Sequence, residues 1–219
     1  MSDEDAVELV IFDCDGVLVD SERLSIELDR RVLAELGWSL THDEILHRFV
    51  GRSSAHFRAE VEAHLGHHLA DDWEEPYLPW YTEVFDRELQ AVDGIIEALD
   101  AIVLPICVAS SGSHAKIRRN LGLTGLLTRF EGRIFSADDV PEGKPAPDLF
   151  LHAARSLGVE PSRCVVIEDS RFGIAAARAA GMRAFGYAGG LTPSEWLEGE
   201  GTSVFTDMRS LAGMLSPRD

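Results

Sequence analysis

Short apolar stretches recur along the chain and alternate with stretches whose apolar residues follow the helical period. The apolar stretches lie at residues 7–13, 104–109, 164–167 and 183–187, and the first of them is rich in β-branched residues. The helical stretches between them lie at residues 113–121, 147–157 and 172–180. Strands that are apolar throughout are typical of parallel sheets covered on both faces. The alternation therefore predicts an α/β fold, a doubly wound, Rossmann-like parallel sheet with helices on both faces.

Residues 19–89 break this alternation, because their apolar positions carry helical periodicity alone. The helical patterns in this block lie at residues 25–36, 42–49, 56–65 and 80–85. A chain of 219 residues is long enough for one α/β domain with a modest insertion. We therefore expect an α/β core made of residues 1–18 and 90–219, with residues 19–89 inserted as a helical unit.

The charge balance narrows the range of partners. The chain has 38 acidic and 20 basic residues, a formal net charge of −18. No basic run is present that could neutralise a phosphate backbone, which predicts no nucleic-acid partner. The same negative field repels a small phosphorylated ligand, so binding one requires cations concentrated at one place, such as a metal ion or well-placed basic side chains.

The cysteines and the apolar runs bear on location. Cys14, Cys107 and Cys164 lie in or beside apolar runs with no paired spacing, which predicts buried thiols in a reducing compartment. The first residues are acidic, and no apolar run approaches the roughly 18 residues that a membrane helix needs. We therefore expect a cytoplasmic protein without membrane contact, a monomer or a weak homodimer.

Chemically useful groups follow four separate strand or loop segments. They are Asp13 and Asp15 in FDCDG, Ser110 in ASSGS, Lys144 in EGKPAPD, and Glu168 with Asp169 in IEDS. The carboxyl ends of parallel strands converge on one crevice. Carboxylates gathered there repel one another unless a divalent cation or protons hold them together. We expect Mg²⁺, since no loop offers the roughly six to eight oxygen ligands that Ca²⁺ favours.

Asp13 and Asp15 can flank one reacting atom where the chain turns at Gly16. One carboxylate can attack phosphorus while its neighbour passes a proton to the leaving oxygen. Lys144, the Ser110 hydroxyl and backbone amides near Gly16 can neutralise the transferring phosphoryl group. Taken singly, each feature has a common structural explanation as a turn, a helix cap or a surface lysine. Together they supply every part of a phosphoryl-transfer site.

The same residues resemble the four motifs of the haloacid dehalogenase-like hydrolases. The first is FDCDGVLVDSE, the second ASS, the third GKPAPD and the fourth IEDSRFGIAAARAAG. The resemblance extends over essentially the whole chain. The helical block is similar to the small α-helical cap of the group that includes β-phosphoglucomutase and many sugar-phosphate phosphatases.

This resemblance implies a role for each motif residue. Asp13 is the nucleophile and Asp15 the general acid and base. The metal set is Asp13, Asp15, Glu168 and Asp169, in which Asp15 contributes its backbone carbonyl and Glu168 is either a ligand or a neighbour of the ligands. The phosphate is held by Gly16, Ser110, Ser111 and Lys144.

The cap sequence favours hydrolysis over mutase chemistry. β-Phosphoglucomutase-like proteins carry a histidine shortly after the DS or DT pair, where this chain has Ser25. A Ser and a Lys of the mutase are replaced by Gly112 and Ser113. A phosphomutase therefore remains the alternative enzyme, and a phospho-ligand sensor without turnover the alternative of another class. A dehalogenase is disfavoured, because that branch works without the second aspartate.

Two longer strings suggest the substrate. FDRELQAVDG and PICVASSG, with the first motif, look most like the bacterial branch that contains 6-phosphogluconate phosphatase. The resemblance implies a small phosphorylated metabolite, a sugar phosphate or sugar-acid phosphate. Substrate choice in such proteins belongs to cap side chains that meet the site when the cap closes. The candidates here are Glu22, Arg52, Ser53 and His56.

Overall fold

Six parallel strands form a single sheet in the computed structural model, which describes residues 6–215. The strands are β1 (Leu9–Phe12), β2 (Ile106–Ser110), β3 (Ile134–Ser136), β4 (Cys164–Glu168), β5 (Arg183–Tyr187) and β6 (Thr202–Phe205). Their order across the sheet is β3-β2-β1-β4-β5-β6. The chain thus leaves the central strand β1 in both directions, which creates a crevice at the carboxyl end of β1. The predicted fold class is confirmed.

Nine α-helices are present in the described part of the chain. They are α1 (Glu22–Glu35), α2 (His42–Phe49), α3 (Ser54–Leu65), α4 (Leu78–Glu88), α5 (Ile95–Ala101), α6 (His114–Leu123), α7 (Asp148–Ser156), α8 (Arg171–Ala179) and α9 (Leu211–Leu215). None of them is long and apolar enough to cross a membrane.

The sheet is covered on both faces, as the continuous apolar strands predicted. In β1, Val10 and Phe12 enter one hydrophobic cluster with residues of α5, α6 and α9. Leu9 and Ile11 enter the other, with residues of α7 and α8. All three cysteines are buried free thiols, as expected. This double burial holds the strand ends rigidly, and with them the side chains that follow.

Two strands were not predicted from the sequence. β3 has only three residues, and β6 is an edge strand in which only Phe205 is buried. Neither stretch shows the long apolar run or clear alternation on which strand prediction depends. Both lie at the outer edges of the sheet, so their absence from the prediction did not move the site.

Helices α1 to α4 build hydrophobic clusters of their own. One joins Ile26, Ile45 and Val61, and a second joins Leu28 and Phe85. The two connections to the sheet run side by side, because Asp20 N–H donates to Gln90 O at 2.9 Å and Val92 N–H donates to Leu18 O at 3.1 Å. The exact domain division at residues 18/19 and 89/90 stays a prediction, although this pairing lies at the same place.

Candidate active site

Asp13 follows directly after β1 and forms a buried ion triad. Its backbone N–H donates to Ile167 O at 3.0 Å, which continues the pairing with β4 past the end of the strand. Lys144 Nζ donates to Asp13 Oδ1 and to Glu168 Oε1, both at 2.6 Å. The Lys144 and Glu168 side chains are 1% exposed and that of Asp13 is 9% exposed. Three of the motif residues therefore form one contiguous group.

Lys144 is a buried residue, although its Gly-Lys-Pro setting is typical of a surface loop. Its ammonium lies 4.9 Å from the ring centre of Phe150 on α7. Burial lowers the pKa of Lys144, but the carboxylates of Asp13 and Glu168 raise it above its ordinary value. The ammonium therefore stays charged at the end of β1, where the negative overall charge made a concentrated cation necessary.

Glu168 ends β4 with both carboxylate oxygens engaged. Oε1 accepts from Lys144, and Oε2 accepts from the backbone N–H and the hydroxyl of Ser170, both at 2.8 Å. A Cβ at Gly173 would lie 1.8 Å from Oε1, so glycine is required for α8 to approach this carboxylate. The contacts orient Glu168 towards Lys144.

Asp169 and Glu22 make a second buried carboxyl pair beside the triad. Their side chains share a hydrogen bond, and Asp169 Oδ2 is buried without a hydrogen-bond partner among the described residues. Gly16 adopts φ +77° and lies so close to Asp169 that a Cβ at this position would be 2.0 Å from Asp169 Oδ2. Glu22 is the first residue of α1, so this pair links the helical unit to the sheet.

Burial and mutual repulsion raise the pKa values of these carboxyl groups. The pKa of Asp13 is raised to about 7 and that of Glu22 to about 8, in both cases mainly by burial. Burial, then Glu22 and Glu168, raise the pKa of Asp169 well above its ordinary range. A divalent cation would relieve this repulsion and give the unpartnered Asp169 oxygen a ligand role.

The donor set fits Mg²⁺ better than a metal held by side chains alone. Within residues 6–215, no three His, Cys, Asp or Glu side chains are grouped to hold an ion. Mg²⁺ commonly takes one or two carboxylates and completes its shell with carbonyl oxygens, water and substrate phosphate. Asp13, Asp169 and the backbone carbonyl of Asp15 fit that description.

Asp15 lies across from Asp13 in a different environment. It accepts from Ser21 Oγ at 2.6 Å, Lys116 Nζ at 2.9 Å and Asn120 Nδ2 at 3.4 Å. Burial raises the pKa of Asp15, but Lys116 and the two other donors outweigh it, so the net shift is downward. The two aspartates of the first motif therefore have oppositely shifted pKa values, as expected for groups with different tasks.

Sequence reasoning missed these partners of Asp15. Lys116 and Asn120 lie four residues apart on α6, and therefore on one helix face. That spacing is visible after the ASSGS motif, but nothing in the sequence shows that this face turns towards β1. Ser21 lies in the DSE string of the first motif, but no role was predicted for it from the sequence.

The serines in and after the second motif make different hydrogen bonds. Ser110 ends β2, is 1% exposed, and accepts from the Gly112 N–H at 3.2 Å. Ser111 Oγ donates to Gly51 O at 3.2 Å, a contact between the sheet and the helical unit. Ser113 is the residue that caps α6, accepting from Lys116 N–H at 3.3 Å. Ser110 is therefore not needed as a helix cap.

A cavity of about 480 Å³ lies between the sheet edge and helices α1 to α4. Asp13, Asp15 and Ser110 line it from the core, while Phe49 and Arg52 line it from the helical unit. Its walls combine aromatic and aliphatic side chains with many polar and charged ones, a lining suited to a small polar ligand. Lys144, Glu168 and Asp169 lie beneath Asp13 and do not line the cavity.

Arg52 is the cap residue best placed to meet a ligand. Its guanidinium stacks 4.3 Å from the Phe172 ring centre and contacts His56 Nδ1 at 3.0 Å. Its Nε is buried without a hydrogen-bond partner among the described residues. Of the other candidates, Ser53 caps α3 by accepting from His56 N–H. Arg52 therefore retains a donor beside the cavity.

Comparison with known proteins decides the family. A model of the haloacid dehalogenase-like hydrolases matches residues 10–187, a span that includes every residue of the candidate site described above. The chain belongs to this family. It is 34% identical over 180 residues to the 6-phosphogluconate phosphatase of Escherichia coli, covering 82% of this chain and 81% of that protein.

Two further similar proteins support the same family assignment. A phosphorylated carbohydrates phosphatase of Thermotoga maritima is 32% identical over 186 residues, covering 80% of this chain and 82% of that protein. A solved haloacid dehalogenase-like protein of unknown function from Agrobacterium tumefaciens is 35% identical, with a TM-score of 0.79. The match covers 96% of this chain and 98% of that one.

The resemblance read from the four motifs is thus confirmed, and so is the expectation of an enzyme of the phosphoric monoester hydrolase class. The roles of the individual site residues, the metal and the substrate are not decided by these similarities and stay predictions.

Proposed function

We propose that this haloacid dehalogenase-like hydrolase is a Mg²⁺-dependent phosphatase that transfers the phosphoryl group of a small phosphorylated sugar or sugar acid to Asp13 and then to water. The observation that carries the proposal is that Asp13, held by buried Lys144 and Glu168, lines the cavity together with Asp15. The names of the phosphatase relatives support the substrate class.

The proposed reaction has two halves. In the first, an Asp13 oxygen bonds to phosphorus while the bond from phosphorus to the leaving oxygen breaks, and Asp15 gives that oxygen a proton. In the second, Asp15 takes a proton from water, which attacks phosphorus and releases Asp13. Lys116 lowers the pKa of Asp15, which favours the ionised carboxylate that accepts a proton from water in the second half. In the first half, the negative charge of the arriving phosphate raises the pKa of Asp15, which favours the protonated form that donates to the leaving oxygen.

Asp13, Asp169 and the Asp15 carbonyl would hold the Mg²⁺ ion. When bound, it neutralises charge on the transferring phosphoryl group. We assign Glu168 to positioning Lys144 instead of binding the metal, because both of its oxygens are already engaged. Lys144, Ser110, Ser111 and the backbone at Gly16 would orient the phosphate.

We propose that residues 19–89 act as a cap over this site. Two contacts support that role: Ser111 bonds to Gly51, and a Cβ at Gly51 would lie 2.4 Å from Ser170. Glu22 joins the cap to Asp169, which we propose as a metal ligand. Arg52 follows Gly51, so its free Nε would meet a substrate oxygen near the phosphate.

The experiment is hydrolysis of an aryl phosphate ester with purified protein. We expect phosphate release with Mg²⁺, loss of release with a chelator, and recovery when Mg²⁺ is restored. A sugar bisphosphate should give no stimulation, whereas a phosphomutase would depend on it. Full activity in the chelator contradicts the metal assignment, and the absence of phosphate release contradicts the proposed function.

A further inference from the structure

One face of helix α1 runs along the cavity from Glu22, which contacts Asp169. Glu22, Ser25 and Asp29 all line the cavity, and their spacing of three and four residues places them on one helix face. At about 1.5 Å per residue, Asp29 lies about 10 Å along the helix from Glu22. The distance is suited to the part of a substrate remote from its phosphate.

Asp29 is held at that remote end by Tyr81 of α4. The Tyr81 hydroxyl donates to Asp29 Oδ1. Glu74 also lines the cavity and lies close enough to act electrostatically on both residues. The core packing of the cap does not need a carboxylate here, because α1 and α4 already pack through Leu24, Leu28 and Phe85.

The basic side chains near this end are already occupied. Lys116 donates to Asp15 at 2.9 Å, and Arg119 donates to Asp86 at 2.6 Å. Across residues 6–215, no ion pair joins Asp29 or Glu74 to a basic side chain. Arg52 is stacked on Phe172 of α8 and bonded to His56. Lys116 also acts electrostatically on Asp29, but its ammonium is bonded to Asp15. With Asp29 and Glu74 both lining the cavity, the remote end presents hydrogen-bond acceptors and more negative than positive charge.

Aromatic rings complete this end of the cavity. Phe57 and Trp73 stack with ring centres 6.1 Å apart, and Tyr77 contacts Trp73 edge-on at 6.4 Å. All three line the cavity with Tyr81. Aromatic faces beside carboxylates favour hydroxyl groups on an apolar carbon skeleton, or an ammonium group, over anions.

We infer that Asp29, positioned by Tyr81, selects substrates whose remote end carries hydroxyl or amino donors and rejects those with a second anionic group there. This inference rests on the proposed phosphatase function and narrows it: sugar-acid phosphates and bisphosphates would be poor substrates. It separates this chain from the activity in the name of its Escherichia coli relative.

The test compares three phosphates of equal chain length by kcat/KM. They are glucose 6-phosphate, with a neutral remote end, glucosamine 6-phosphate, with an amino group, and 6-phosphogluconate, with a carboxylate. We expect the native enzyme to prefer the first two over the third by at least tenfold. Asp29→Asn and Tyr81→Phe should each reduce that preference severalfold, Asp29→Asn more strongly because it removes the charge.

Glu27→Gln is the matched control. Glu27 lies on α1 two residues before Asp29, but its side chain is exposed and accepts a hydrogen bond from Arg30. Because it does not line the cavity, its substitution should leave the substrate preference unchanged. Equal turnover of all three phosphates by the native enzyme overturns the inference, as does an unchanged preference in Asp29→Asn. Either result with intact aryl phosphate hydrolysis leaves the proposed function standing, whereas no hydrolysis of any ester overturns both.

Discussion

The two walls of the cavity are built on different principles. On the core side, Asp13 lines the cavity and is held from behind by the buried Lys144, which also bonds to Glu168. Glu168 is fixed in turn by the N–H and the hydroxyl of Ser170. On the cap side, Arg52 and Asp29 are only partly buried, and among residues 6–215 neither forms an ion pair with an opposite charge. The ion triad of the core is therefore bonded internally, whereas Arg52 and Asp29 of the cap keep unused hydrogen-bonding capacity towards a ligand.

This difference separates chemistry from selection. A buried, fully paired group holds one geometry, which suits a reaction that every substrate of the family undergoes. Groups with free hydrogen-bonding capacity gain most when a complementary ligand arrives, which suits discrimination among substrates. Substitutions on the core wall should therefore abolish turnover or stability, while those on the cap wall should mainly change preferences.

The largest effect is expected at the nucleophile. Asp13→Asn should lower kcat for an aryl phosphate by at least about a thousandfold, because the amide cannot form the phosphoenzyme. Asp15→Asn should slow release of the leaving group and breakdown of the intermediate. Acid quenching with radiolabelled substrate should trap a phosphoenzyme in the Asp15 variant and none in the Asp13 variant. Equally mild losses in both variants would contradict the division of roles.

The next effect concerns stability. Lys144→Met leaves Asp13 and Glu168 buried without their cation, which should lower the free energy of unfolding by about 3–5 kcal/mol in denaturant melts. Lys116→Met is the control on the cap-facing side. The Lys116 side chain is 43% exposed and that of Asp15 23%, and Asp15 keeps its bonds to Ser21 and Asn120. The loss should therefore be smaller, about 1 kcal/mol. Equal losses in the two variants would show that the core triad is not a special structural unit.

The smallest effect has the opposite sign. Burial raises the pKa of Asp29 to about 6, against the lowering effects of Tyr81 and Lys116 and with Glu74 raising it further. The folded state therefore holds this proton more tightly than the unfolded state, and ionised Asp29 costs stability above pH 6. Asp29→Asn should stabilise the protein by about 1–2 kcal/mol at pH 8, with the gain fading as pH falls towards 4.

Glu27→Gln removes the same charge from an exposed part of α1, so it controls for the reduced net charge of the chain. A gain of equal size in that variant would assign the effect to overall repulsion. If Asp29→Asn proves destabilising at pH 8, Asp29 has a structural role in the cap, and its place in substrate selection becomes doubtful.

Four motif segments could be placed at strand ends because each follows a short apolar run or opens a helical pattern. That local signal was sufficient for Asp13, Ser110 and Asp169. The burial of Lys144 was beyond local reasoning, since a lysine between glycine and proline has no nearby partner in sequence. Its contacts with Asp13 and Glu168 span 131 and 24 residues, a closure that only the packed sheet provides.

The sequence by itself determined the sheet class, the inserted helical block and the family, because strand burial, helical period and motif spacing are local properties that each segment carries alone. Only the tertiary structure decided that Glu168 orients Lys144, that Lys116 turns towards Asp15, and that Asp29 faces the cavity with Tyr81. Those outcomes depend on which face each helix presents to the sheet, and that choice follows from the packing of the whole core.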